Sequence, residues 1–118
     1  MIVGLGVDVV DLARFERAVS RTPRLRERLF AQSERALPLR SLAARFAAKE
    51  ALVKALGGSA ELQWVDMEIA NGAAGTPGFV LDGPLGTLLE RRGIVALHVS
   101  MSHDAGVAVA TVVAEARG

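Results

Sequence analysis

The run ARFAAKEALVKALG at positions 44–57 carries Arg45, Lys49, Glu50 and Lys54 among residues that are otherwise apolar. Stripping a charge of water is costly, so charges in such a run need partners or ligands. Near the N-terminus a further acid, Asp8, follows two glycines in GLGVD. Asp8 and Glu50 together offer hard oxygen ligands of the kind Mg²⁺ takes, its shell being completed by water and a substrate phosphate. The basic residues point the same way. Twelve of the fourteen are Arg, and Lys49 and Lys54 are the only two Lys. A compact ammonium differs from a planar guanidinium where a single phosphate oxygen must be approached. Each feature also has a plainer reading. Glu50 and Lys54 at i, i+4 can form a helical ion pair worth about 0.3–0.5 kcal/mol, and a long Lys can reach water from an apolar stripe. Asp8 can equally bond turn amides at a strand end.

These side chains need elements to carry them. Positions 2–8 alternate as a strand, with Val3, Leu5 and Val7 on one face and Gly4, Gly6 and Asp8 on the other, so the second face is bare beside Asp8 and open to a ligand. Asp11 caps a helix over 12–20, and a second short helix covers 24–30 after Thr22-Pro23. A turn can open at Ser33. The long helix runs from Leu39 to Leu56 and closes on the cap pair Gly57-Gly58. At 100° per residue Lys49 falls inside the stripe of Leu42, Phe46, Val53 and Leu56, with Arg45 at its edge. Opposite stand Ala44, Ala47, Ala48, Ala51 and Ala55, a surface suited to close approach by another element. The second half reads as strands over 63–70 and 79–81 about a Gly-rich turn, a helix over 84–92, and a hairpin of strands 95–102 and 107–114 about the turn 103–106.

Length and composition bound the answer. At 118 residues one domain, 1–118, is expected. The chain is 51% hydrophobic and only 4% aromatic, so its core is built of small apolar residues and oligomerisation is a fair default. Without Cys there is neither disulfide nor thiolate chemistry, and a cytoplasmic setting is the simplest reading. The N-terminus lacks a basic leader and Asp8 interrupts it, so neither signal peptide nor membrane span is expected. Net charge is +1, yet nine Arg between positions 14 and 45 face only Glu16, Glu27 and Glu34. Such a field favours an acidic protein partner, whereas the low overall charge and few aromatics argue against nucleic acid.

Four stretches in order, GLGVDVVDL at 4–12, RFAAKEALVKALG at 45–57, GTP at 75–77 and HVSMSHD at 98–104, resemble the small holo-acyl-carrier-protein synthase branch of the 4′-phosphopantetheinyl transferases. The resemblance covers almost the whole chain. It implies an α+β fold, an antiparallel sheet packed with a long buried helix, assembled as a homotrimer with interfacial active sites. It implies Mg²⁺-dependent transfer of 4′-phosphopantetheine from coenzyme A to a serine of apo acyl carrier protein, as in fatty acid biosynthesis, leaving 3′,5′-ADP. By matched positions Asp8 and Glu50 hold the metal and, with Lys54, form the catalytic set. Arg45, Lys49, Pro77, Ser102 and His103 contact coenzyme A. The carrier's acidic helix would dock on Arg14, Arg21, Arg24 and Arg28. Two features stand apart from the family pattern. The connection 33–41 is short, and Asp104 either orients His103 or is a plain turn residue. The alternative function is a non-catalytic trimeric module binding coenzyme A or a nucleotide.

Overall fold

The computed structural model describes residues 1–58 and 61–118. The elements are β1 (Ile2–Asp11), α1 (Leu12–Arg21), α2 (Leu25–Leu29), α3 (Leu39–Ala55), a 3-10 turn (Trp64–Asp66), β2 (Ile69–Asn71), β3 (Pro77–Phe79), α4 (Pro84–Arg91), β4 (Ile94–Asp104) and β5 (Val107–Ala116). Strands β1, β5 and β4 form an antiparallel sheet in that order, and β2 with β3 forms a separate hairpin. The fold is α+β, with α3 lying across the three-stranded sheet.

The packing of α3 on β1 explains both patterns seen in the sequence. A Cβ on Gly4 or Gly6 would collide with the carbonyls of Ala55 and Ala51, so only glycine lets the strand lie this close to the helix. The alanine face of α3 meets the glycine face of β1, and Ala47, Ala48, Ala51, Ala110 and Val112 form the core between them. The expectation that the glycine face is bare is therefore corrected over Gly4 and Gly6, where the helix fills it. The alternating apolar side chains of β1 point the other way, with Val3, Leu5, Val7 and Val9 at 50%, 66%, 52% and 60% exposure.

Local signals are otherwise obeyed. Asp11 caps α1 by accepting the Arg14 amide at 3.0 Å. Gly58, at φ 83°, closes α3 by donating to the Val53 carbonyl. Ala105 and Gly106, at φ 50° and 78°, make the two-residue turn between β4 and β5. The strand expected over 63–70 is shorter. Gln63 and Asp66 form a reciprocal cap that coils 64–66 into a 3-10 turn, and pairing begins only at Ile69. Asp104 accepts the Ala105 amide at 2.9 Å, which makes it a turn residue.

Candidate active site

Asp8 and Glu50 line one cleft of about 580 Å³, shared with Asp11, Arg14, Phe15 and Phe46. Asp8 projects from the inner face of β1, in register with Ala110 of β5, where α3 passes over the strand. Glu50 projects from the adjoining turn of that helix. Lys54, one turn further on, does not turn back to Glu50. Its ammonium donates to the Asp8 carboxylate and to the Val7 carbonyl, both at 3.0 Å. The Lys54 side chain is 53% exposed and Asp8 19%, so the pair sits at the cleft mouth. Partial burial and the neighbouring Asp8 charge push the Glu50 carboxyl above its ordinary value, with Lys54 partly offsetting them.

Among the described residues no group of three or more His, Cys, Asp or Glu gathers as a metal centre. Of the three carboxylates in the cleft, Asp11 is taken up in capping α1, which leaves Asp8 and Glu50, the latter raised by burial and by the charge of Asp8. That chemistry suits a hard divalent cation that keeps several positions for water and phosphate. Asp8 and Glu50 are the residues that could hold one.

Arg45 and Lys49 occupy a different place from the one the sequence suggested. Lys49 is fully buried, and its ammonium donates to the Leu29 carbonyl and Glu34 at 2.8 Å and to the Trp64 carbonyl at 3.2 Å. Arg45 is also turned inward, to Glu34 and the Ile69 carbonyl. Neither lines the Asp8 cleft: the two residues expected to contact coenzyme A phosphates are held on Glu34 inside this chain. Glu34, the centre of this network, has no local signature in the sequence, its partners being 11 and 15 residues away. Only the need of a buried Lys49 for a counter-ion could have pointed to it.

The remaining expected positions are spread out. Pro77 opens β3 in the separate hairpin. Ser102 and His103 are exposed neighbours on β4, in register with Val109 and Ala108, and so face opposite sides of the sheet. None of the three lines the Asp8 cleft of its own chain. Arg14, Arg21, Arg24 and Arg28 are all exposed along α1 and α2, and Arg14 joins the cleft wall. Arg26 is instead tied to the Arg35 carbonyl.

A sequence profile of the 4′-phosphopantetheinyl transferase superfamily matches residues 4–112. The chain belongs to that superfamily. Within it, a holo-[acyl-carrier-protein] synthase of Clavibacter sepedonicus is 58% identical over 118 residues, 100% of this chain and 99% of the relative. One from Leifsonia xyli is 60% identical over 115 residues, 98% of both. The fold of this superfamily member is also that of solved relatives. The Neisseria meningitidis holo-[acyl-carrier-protein] synthase superposes with TM-score 0.89 at 34% identity, covering 98% of this chain and 99% of that one. The Helicobacter pylori enzyme, solved in complex with coenzyme A, gives 0.84 at 36% identity over 94% of this chain and 99% of that one. No helix among the described residues is long and apolar enough to cross a membrane.

Proposed function

We propose that this chain is a Mg²⁺-dependent transferase that moves 4′-phosphopantetheine from coenzyme A to a serine hydroxyl of an apo acyl carrier protein, releasing 3′,5′-ADP. The observation that carries it is the meeting of Asp8 and Glu50 in one cleft, with Lys54 bonded to Asp8 beside it, in a chain of this superfamily. The serine oxygen attacks the phosphorus bearing the pantetheine arm, and the bond from that phosphorus to the bridging oxygen of the ADP leaving group breaks. Asp8 and Glu50 would hold a divalent cation, which when bound would supply charge neutralisation on the pyrophosphate. Lys54, already within 3.0 Å of Asp8, lies where it can stabilise charge gathering on the leaving phosphate oxygens. Glu50, in the same cleft, is the carboxylate suited to accept the serine proton. The test is the mass of a purified apo carrier incubated with coenzyme A, with and without a chelator. Gain of one phosphopantetheine, lost with the chelator, is expected; binding of coenzyme A with no gain would replace the reading by that of a binding module.

The exposed arginines suit the carrier partner. Arg14, Arg17 and Arg21 recur along α1, and Arg24, which precedes α2, and Arg28 on it continue the row. A ridge of this sign steers and orients an acidic helix. Reversing Arg14 and Arg21 to Glu should raise KM for the carrier by tenfold or more, on the order of two rim ion pairs turned repulsive, with KM for coenzyme A little changed. Equal weakening of both substrates would argue against docking here.

The outward apolar row of β1 suits a second partner, further copies of the chain. Val3, Leu5, Val7 and Val9 form a contiguous exposed strip. A homotrimer that covers it would also let Pro77, Ser102 and His103 serve a neighbour's cleft. Val7→Lys in the middle of the strip should yield monomer by light scattering and lose transfer. A monomeric wild-type protein with full activity would remove the trimer from the proposal.

A further inference from the structure

The mechanism above makes no use of the most deeply buried charges in the molecule. Glu34 and Lys49 are each 0% exposed. One Glu34 oxygen accepts from the Lys49 ammonium at 2.8 Å and the Ala31 amide at 3.0 Å. The other accepts from Arg45 at 3.4 Å and the Ile69 amide at 3.2 Å. Lys49 in turn holds the carbonyls of Leu29 and Trp64. The pair thus ties the end of α2 and the 3-10 turn to α3 from inside.

What these ties hold is a chain of four rings. The Lys49 ammonium stands 5.0 Å from the Phe30 ring centre. Phe30 meets Phe15 edge-on at 6.2 Å, Phe15 meets Phe46 at 5.8 Å, and Phe46 meets Trp64 at 5.5 Å. Lys49 fixes both ends, at Phe30 through its ring and the preceding carbonyl, and at Trp64 through its own carbonyl. The two middle rings, Phe15 and Phe46, are walls of the Asp8–Glu50 cleft. We propose that Glu34 and Lys49 are positioning residues which, by clamping Phe30 and Trp64, set the apolar wall of the cleft against which the serine-bearing segment of the carrier rests. The carrier is the substrate concerned because Arg14, from the basic ridge, lines the same wall. This rests on the transferase reading.

The test uses Glu34→Gln. An amide presents one acceptor and one donor where the carboxylate met four donors, so one side of the hub must open. Trp64 is the only Trp, so intrinsic fluorescence reports on one end of the ring chain alone. The expected result is a red-shifted Trp64 emission, a carrier KM raised fivefold or more, on the order of a lost well-positioned contact, and a coenzyme A KM within about twofold of wild type. A shifted emission with unchanged carrier KM would make the hub structural only, and an equal rise in both KM values would mean general loosening; either overturns the proposal. Should Glu34→Gln fail to fold, Ser33→Ala serves. Ser33 bonds Glu68 at 2.5 Å and tethers the same loop to the same segment from the exposed side. It should move emission and carrier KM in the same direction by less, and if it moves neither the proposal falls. Failure of the transferase reading is distinct, since it appears in the wild-type protein as a carrier that gains no mass.

Discussion

Glu50→Gln should lower the rate of carrier modification by 10²-fold or more, on the order of the several kcal/mol a bound divalent cation supplies at a phosphoryl oxygen, while leaving the fold intact or firmer. The two effects have one origin. Glu50 shares its cleft with Asp8, and partial burial together with that like charge raises its carboxyl above the ordinary value. Because the folded-state value is the higher one, the contribution of Glu50 to stability is fully present below the unfolded value. It is lost as pH rises through the folded one. Near neutral pH the ionised Glu50 is therefore a net burden on the unliganded fold, and the uncharged amide removes it. Thermal unfolding should show the variant equal to or above wild type at pH 7, with the difference vanishing toward pH 4.

Added Mg²⁺ separates the catalytic from the structural part of this argument. In wild type it should raise Tm at pH 7 and do little in acid, where Glu50 is protonated. In Glu50→Gln the Mg²⁺-dependent rise should be largely gone. Full transfer by the variant, or an unchanged Mg²⁺ effect on its Tm, would remove Glu50 from the site. Lys54→Met offers a contrast, since it frees Asp8 of its ammonium at 3.0 Å and leaves both carboxylates to bind a cation. It should lose transfer while keeping, or strengthening, the Mg²⁺-dependent stabilisation.

The elements that carry this cleft were readable from local pattern, and their relations were readable only in part. The alternation of β1 is evident in the sequence, yet which face is buried is not, because valines and leucines ordinarily go inward. Here two glycines do, since a helix face made of alanine leaves no room for a Cβ between Ala51 and Gly6. The helical period put Lys49 in the apolar stripe of α3, and the structure buries it completely. Its ligand is internal. What the period could not supply was Glu34, whose role depends on the chain folding back across α2 and the segment that follows α3. The overlong strand expected at 63–70 fails for a local reason: Gln63 and Asp66 cap each other across the 3-10 turn, so pairing waits for Ile69. One edge of Ile69 pairs with Phe79, while its amide and carbonyl are also taken by Glu34 and Arg45, a long-range arrangement with no local signature.

Lys49→Met is expected to destabilise the protein by about 3–5 kcal/mol, the cost of leaving a buried charge without its partner. Against a total of about 5–15 kcal/mol for a typical domain this is a large fraction. It should lower Tm by more than about 10 °C. Two opposing effects set the size. Burial lowers the Lys49 ammonium from its ordinary value, whereas the hydrogen bond and charge of Glu34 raise it. Methionine escapes the burial penalty but leaves Glu34 facing Arg45 alone, takes the Lys49 donor from the Leu29 carbonyl, and leaves the Trp64 carbonyl with only the Met67 amide. Replacing a buried ion pair wholly by apolar residues is often harmless. That remedy should fail here. In Glu34→Met with Lys49→Met the amides of Ala31 and Ile69 lose the acceptor that Glu34 gave them, each unsatisfied buried donor costing about 1–3 kcal/mol. The double variant should therefore remain well below wild type in urea and thermal unfolding. Recovery to within about 1 kcal/mol of wild type would mean that the charges, and not the backbone groups they hold, account for the hub's contribution.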